Sequence, residues 1–162
     1  TADGVTRRSE TYEIPVDPMS RRLAATQLVC CAAPAYLAAF GTPEVLADLK
    51  QHRLLATTSQ LPWQLDGPEG TVTHSGQSHV RTNSSEVVRE LALGGCGIAL
   101  RSLWDVHEAL ASGALVRVLA AYQGSQDVGI YAVHAPTPAL PARIEAFVTH
   151  LGAHLQAGSA LG

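Results

Sequence analysis

Lysine is almost missing from this chain. Lys50 is the single lysine among 162 residues, and arginine supplies the rest of the positive charge. Charged residues of both signs are scarce at 15%, and the formal net charge is -3 with histidine neutral. A nucleic-acid grip needs clustered lysine and arginine against phosphate, so this stretch by itself is not one. There is no apolar run of about 18 residues, the length a membrane-spanning helix requires. The opening "TADGVTRRSETYEIP" also lacks the charged-then-apolar layout of a secretory signal. Cysteine is sparse and odd in number: Cys30, Cys31 and Cys96. That count argues against a disulfide framework and fits a reducing cytoplasm. No Cys-x-x-Cys pair is present, so a thiolate zinc site is not expected either. Adjacent Cys30 and Cys31 would face opposite sides of a strand.

The signatures of common catalytic sites are missing as well. There is no Gly-x-Ser-x-Gly elbow and no Walker loop. "GGCGIAL" gives Gly95-x-Gly97-x-x-Leu100, which is not the full dinucleotide fingerprint and stands in the wrong order. A dinucleotide loop runs strand, glycines, helix; here the helix precedes the glycines, at its negative end. These glycines read as a helix stop and a tight return into a strand. His150 and His154 are four apart on the last helix, but no glutamate accompanies them and surface positions are the better reading. The other histidines show no ligand spacing. The expectation is no catalytic residue, no metal and no cofactor.

What is present is a core: 46% of residues are hydrophobic, which argues against disorder. "DGVTRR" reads as a short strand and "YEIPVDPMS" as a Pro-punctuated loop. "RRLAATQLVCCAAP" looks like two extended pieces. Pro34 opens a helix, "PAYLAAFG", that Gly41 closes. "TPEVLADLKQH" is expected to be a second helix, capped by Thr42 with Pro43 at its first position. "RLLAT", "LPWQL", "TVTH" and "HVRT" read as extended, with a turn at "DGPEG". A helix then begins near Asn83, whose spacing to Glu86 suits a capping box. "GIALR" is a strand and "SLWDVHEALASG" a helix with Leu103, Val106 and Leu110 on one face, stopped by Gly113. "LVRVLA" and "VGIYAVH" are strands. In the last helix Leu140, Ile144, Phe147, Val148, Leu151 and Leu155 form an apolar stripe, and "QAGSALG" is a frayed tail. Strands alternating with helices imply an α/β fold with mainly parallel sheets.

In such sheets ligands sit at the carboxyl ends of strands. Three such ends carry polar groups: Thr57, Thr58 and Ser59; Thr82 to Ser85; Arg101 and Ser102. A helix start rich in hydroxyls suits a carboxylate, and plain capping is the competing reading. Arg101, directly after an apolar strand, is placed to pair with an anion; a surface or subunit-contact arginine is the alternative. Trp63 and Trp104 could line a pocket, be core, or make a subunit contact.

From "DGVTRR" to "EAFVTHL" the chain resembles the effector-binding domain of LysR-type transcriptional regulators. The matching pieces are "RRLAATQLVCCAAPAYLAAFGTPEVLADL", "WQLDGPEG", "LALGGCGIALRSLWDV", "ALASGALVRVLAAY" and "VGIYAVHAPTPALPARIEAFVTHL". Many relatives carry Leu-Pro where this chain has Arg101-Ser102. The resemblance implies a two-lobe fold like that of type 2 periplasmic binding proteins, with "QLVCCAA" and "GIYAVHA" as crossover strands. Residues 1–29 and 128–162 would belong to lobe I, and residues 30–127 to lobe II. Lobe I is expected to be incomplete at its N-terminus, and the winged helix-turn-helix that would contact DNA is expected to lie outside this chain. A small organic, anionic effector would bind in the cleft beside Arg8, Thr58, Ser59, Trp63, Asn83, Ser84, Arg101 and Ser102. Subunits would associate as dimers or tetramers in the cytoplasm, without membrane contact. A solute-binding protein of a transport system shares the fold but needs an export signal. A small α/β enzyme would need a nucleophile-base pair or a metal cluster.

Overall fold

The computed structural model describes residues 20–125, 128–134 and 139–159. The expected strand "DGVTRR" and the loop after it lie outside these residues. The described chain opens with β1 (Ser20–Thr26) and β2 (Leu28–Ala32), separated only by Gln27. Helix α1 (Pro34–Phe40) starts on Pro34 and ends at Gly41, whose φ of 84° suits a residue without Cβ. A six-residue 3-10 turn (Leu46–Gln51) leads to β3 (Leu54–Leu55). Strands β4 (Trp63–Gly67) and β5 (Gly70–His74) form a hairpin, with Gly67 paired to Gly70 around Pro68-Glu69. Then come α2 (Ser85–Leu93), β6 (Ile98–Ser102), α3 (Leu103–Ala111), β7 (Val116–Arg117), β8 (Gln123–Gly124), β9 (Val128–Val133) and α4 (Ala142–Ser159).

Three sheets result: β1-β9, β3-β6-β2-β7 and β5-β4-β8. The four-stranded sheet is the centre, and side-chain alternation divides its residues between two cores. Cys30, Ala32, Leu54, Ile98 and Leu100 face a cluster closed by Tyr36, Leu49, Trp63 and Leu65. Val29, Cys31, Leu55 and Ala99 face the opposite cluster, closed by Val88 and Ala92 of α2 and Val106 of α3. The two cysteines do part to opposite faces. Leu103, Val106 and Leu110 share one side of α3 as their spacing predicts.

The mainly parallel pairing needs correction. Among the described ladders only β3-β6 is parallel; β2 runs against β6 and β7, and β1-β9, β4-β5 and β4-β8 are antiparallel. Strands β3, β6 and β7 still share one direction, with β2 inserted against them. Residues 33–53, with the seven-residue α1 and a short 3-10 turn, join β2 to β3, and the chain reverses direction across them.

Three local expectations fail for identifiable reasons. Thr42 caps nothing in "TPEVLADLKQH": Asp48 Oδ2 accepts the Glu44 and Val45 N–H groups, both at 3.0 Å, and the turn starts after them. Those two amides hold the Asp48 carboxyl below the usual range. "HVRT" starts with a single parallel bridge, Ser78 opposite Leu54 with His79 N–H to Leu54 O at 2.8 Å, and builds no ladder beyond it, because Ser78 Oγ takes Ala56 N at 3.0 Å and Ala56 O at 3.1 Å. "LVRVLA" is extended only at Val116–Arg117, before Leu119 turns the chain at φ 50°. The glycine reading holds: Gly95 has φ 75°, and a Cβ on Gly97 would collide with the Arg53 carbonyl.

Candidate functional site

Because β3 and β6 are parallel, their carboxyl ends lie at one edge of the central sheet. Strand β2 runs the other way and starts there, with Leu28 opposite Ser102. Helix α2 ends just before β6 begins, so its first turn returns to the same edge. The juxtaposition is tied by a backbone bond, Thr58 N–H to Thr82 O at 2.9 Å. The turn after β3 closes by Gln60 N–H to Thr57 O at 3.1 Å. Gln60 Nε2 then donates to Leu100 O at 2.7 Å, joining that turn to β6.

The polar residues here are held by local hydrogen bonds. Thr82 Oγ1 accepts the Ser84 N–H at 3.1 Å, and Ser84 Oγ accepts the Val87 N–H at 3.4 Å. Ser84, not Asn83, is therefore the cap of α2, and the expected Asn83–Glu86 box is not formed. Asn83 stands exposed one residue earlier. At the start of α3, Leu103 N–H reaches Gln27 O at 2.7 Å and Trp104 N–H reaches Thr26 Oγ1 at 3.3 Å. Thr26 Oγ1 also lies 2.9 Å from Ser102 Oγ.

The edge thus gathers Thr58, Ser59, Asn83, Ser84 and Ser102. Arg8 lies outside the described residues. Trp63 is 1% exposed and belongs to the core under β4, where its ring fills space between sheets. Arg101 is 9% exposed and, by alternation along β6, points to the α2–α3 side. Its Nε and Nη2 donate to Asp105 Oδ2 at 3.0 and 2.6 Å. Arg89 Nη1 reaches the other oxygen, Asp105 Oδ1, at 3.0 Å. One carboxylate therefore joins α2, β6 and α3. The Arg89 guanidinium is held even more firmly protonated than usual, by its bond to Glu90 and then by Asp105. Sequence reasoning missed Thr26, Gln27 and Gln60. The partners of Thr26 lie 76 and 78 residues away, so no local spacing marks it.

The thiols are chemically quiet. Burial pushes both Cys30 and Cys31 up to about 12, with Arg101 opposing and Asp105 reinforcing the shift at Cys31. Neutral buried thiols are poor nucleophiles and poor metal ligands. Burial, helped by Lys50, lowers His74. Among the described residues no group of three or more His, Cys, Asp or Glu side chains could hold a metal ion. Nor is any described helix long and apolar enough to cross a membrane.

Residues 11–156 match the family described as the LysR substrate binding domain. The chain is 36% identical over 126 residues to the HTH-type transcriptional activator TtdR of Escherichia coli, covering 75% of this chain and 40% of that protein. It is 34% identical over 143 residues to the HTH-type transcriptional regulator DmlR of Escherichia coli, covering 86% and 46%. The chain thus spans less than half the length of these relatives. Among solved structures, the regulatory domain of CrgA from Neisseria meningitidis superposes with a TM-score of 0.75 at 29% identity, covering 84% of this chain and 68% of that one. Full-length AphB of Vibrio cholerae superposes with a TM-score of 0.73 at 27% identity, covering 83% and 47%.

Proposed function

Because this chain belongs to the LysR substrate-binding domain family, we propose that it senses a small organic anion at the sheet edge formed by the ends of β3 and β6. The chain is the effector-binding domain of a LysR-type transcriptional regulator, with the type 2 periplasmic-binding-protein-like α/β fold of such domains. The observation that carries the site proposal is the bond from Thr58 N–H to Thr82 O, which lays the Thr58–Ser59 turn beside Asn83 and Ser84. Ser102 completes the polar edge. Trp63 and Arg101 support it from behind, one as packing and one as an ion pair. The cleft would lie between lobe I (1–29 and 128–162) and lobe II (30–127), with Arg8 on the lobe I side.

The mechanism is a population shift. An effector that touches both lobes favours one angle between them and so changes how paired subunits present their DNA-binding domains. Self-association as a dimer or tetramer, DNA contact through a helix-turn-helix beyond this chain, and action in the cytoplasm without catalysis belong to the same reading. The names of TtdR and DmlR, both HTH-type regulators, support it over a transport protein or an enzyme. Calorimetric titration of the full-length protein with aliphatic and aromatic carboxylates tests the site. Binding is expected, and Ser84→Ala together with Asn83→Ala should weaken it by about tenfold, the worth of one or two hydrogen bonds to a charged ligand. Carboxylate binding that both substitutions leave untouched would remove Ser84 and Asn83 from the site.

A further inference from the structure

We propose that Thr26 is a positioning residue: it holds the Ser102 hydroxyl at the effector edge and latches the β1-β9 sheet to the central sheet. This rests on the effector reading above and adds a residue to it. Thr26 ends β1, the strand paired with β9, and only Gln27 separates it from β2 of the central sheet. Three contacts cross that joint: Thr26 Oγ1 to Ser102 Oγ at 2.9 Å, Trp104 N–H to Thr26 Oγ1 at 3.3 Å, and Leu103 N–H to Gln27 O at 2.7 Å. Helix α3 is therefore capped by the linker and not by its own Ser102, which makes no side-chain cap. Its first amides are already taken, so the ligand contact falls to the hydroxyl.

A hydroxyl has one hydrogen to donate and two lone pairs. Thr26 Oγ1 accepts from Trp104 N–H, and between Thr26 Oγ1 and Ser102 Oγ either oxygen can donate. In both directions the pair ties the Ser102 hydroxyl to the end of β1 and leaves one hydroxyl hydrogen of the two for a further partner.

The test uses the full-length protein, with Thr26→Val, Thr26→Ser and Ser102→Ala. Benzoate, succinate and citrate are titrated. Amide exchange at Leu103 and Trp104 is followed alongside. Thr26→Val should speed exchange at Trp104 but not at Leu103, and should weaken carboxylate binding about fivefold, less than the loss of one charged hydrogen bond. Thr26→Ser, which keeps the hydroxyl, should restore both. Ser102→Ala should weaken binding while leaving the Trp104 amide protected, and it serves as the second probe should Thr26→Val fold poorly. Carboxylate binding that is equal in wild type and Thr26→Val overturns the latch and leaves the effector reading standing. Absence of binding by any probe to the wild type counts against the effector reading, and unchanged Trp104 exchange in Thr26→Val then overturns the latch independently.

Discussion

Asp105 holds two arginines at once, and the more buried of them depends on it. The Arg101 side chain is only 10% exposed, and its contact with Asp105 is 2.6 Å. Removing one partner of a buried pair leaves the other charge without compensation. Asp105→Asn should therefore cost about 3 kcal/mol of unfolding free energy, read from urea denaturation. Arg89, more exposed and shared with Glu90, should matter much less when cut to alanine. Equal losses for the two changes would show that Arg101 is not the dependent charge. This pair also explains what could be seen at residue scale. The arginine after "GIAL" was visible as a charge needing a partner. That the partner is four residues on, across the start of α3, follows from the strand meeting the helix without a loop, which the letters alone do not show. The thiols give a second prediction. Cys30 and Cys31 are raised from 9.0 to about 12 in the fold. Above pH 9 the unfolded chain loses these protons first, so the unfolded state binds fewer and stability falls as pH rises. Unfolding free energy should decline between about pH 9 and 12 through this linkage, and replacing both cysteines by alanine should flatten that decline. A thiol reagent should label half-buried Cys96 in the folded protein well before the other two.

At the scale of elements, the return from α2 into β6 is the least forgiving joint. Gly97 sits so close to the Arg53 carbonyl and the Leu55 side chain that no Cβ fits, and the nearest obstacle is backbone. Gly41, by contrast, has open space around it and needs glycine only for its φ of 84°. Gly97→Ala should thus cost more than Gly41→Ala, whose backbone at φ 84° and ψ 165° costs a side chain about 1–3 kcal/mol. Thermal melts of the two variants rank them, and the opposite order would mean that β3 and β6 can separate at little cost. The helix-then-glycine order made this joint legible, because capping chemistry is local. Elements whose ends depend on distant partners were not legible. "HVRT" alternates like a strand, yet Ser78 occupies the edge of β3 with its side chain. The 3-10 turn starts where Asp48 takes two amides, which the "TP" signal before it hid. Asn83 and Ser84 are equally good caps by composition, and only the path out of Thr82 selects Ser84.

For the whole molecule, burial is unevenly divided, and stability should follow it. The buried apolar residues concentrate around the central sheet; among the described side chains of β1, β9 and α4 only Leu23 and Ala24 belong to them, with Gly152 seated against Leu23. Helix α4 runs through to Ser159, into the expected tail, and its apolar stripe is split. Val148, Leu151 and Leu155 are partly covered, while Ile144 is 37% and Phe147 64% exposed. Periodicity could reveal the stripe but not how wide a surface waits beneath it, since that depends on how many strands the helix meets. Here it meets chiefly β1, through Gln156 to the Leu23 carbonyl and Arg21 to Thr149. A two-stranded ribbon under one helix is marginal without more apolar cover. Local opening free energies track buried apolar contact. In this 162-residue chain, amides of β9 and α4 should therefore exchange through a lower-energy opening than those of β2 and β6. They should also become uniformly exposed at a lower urea concentration. A single opening energy shared by β9, α4, β2 and β6 would show that the joint at Thr26–Gln27 welds the two sheets into one cooperative unit. Separate energies would show that the two sheets open as separate units despite the contacts at Thr26 and Gln27.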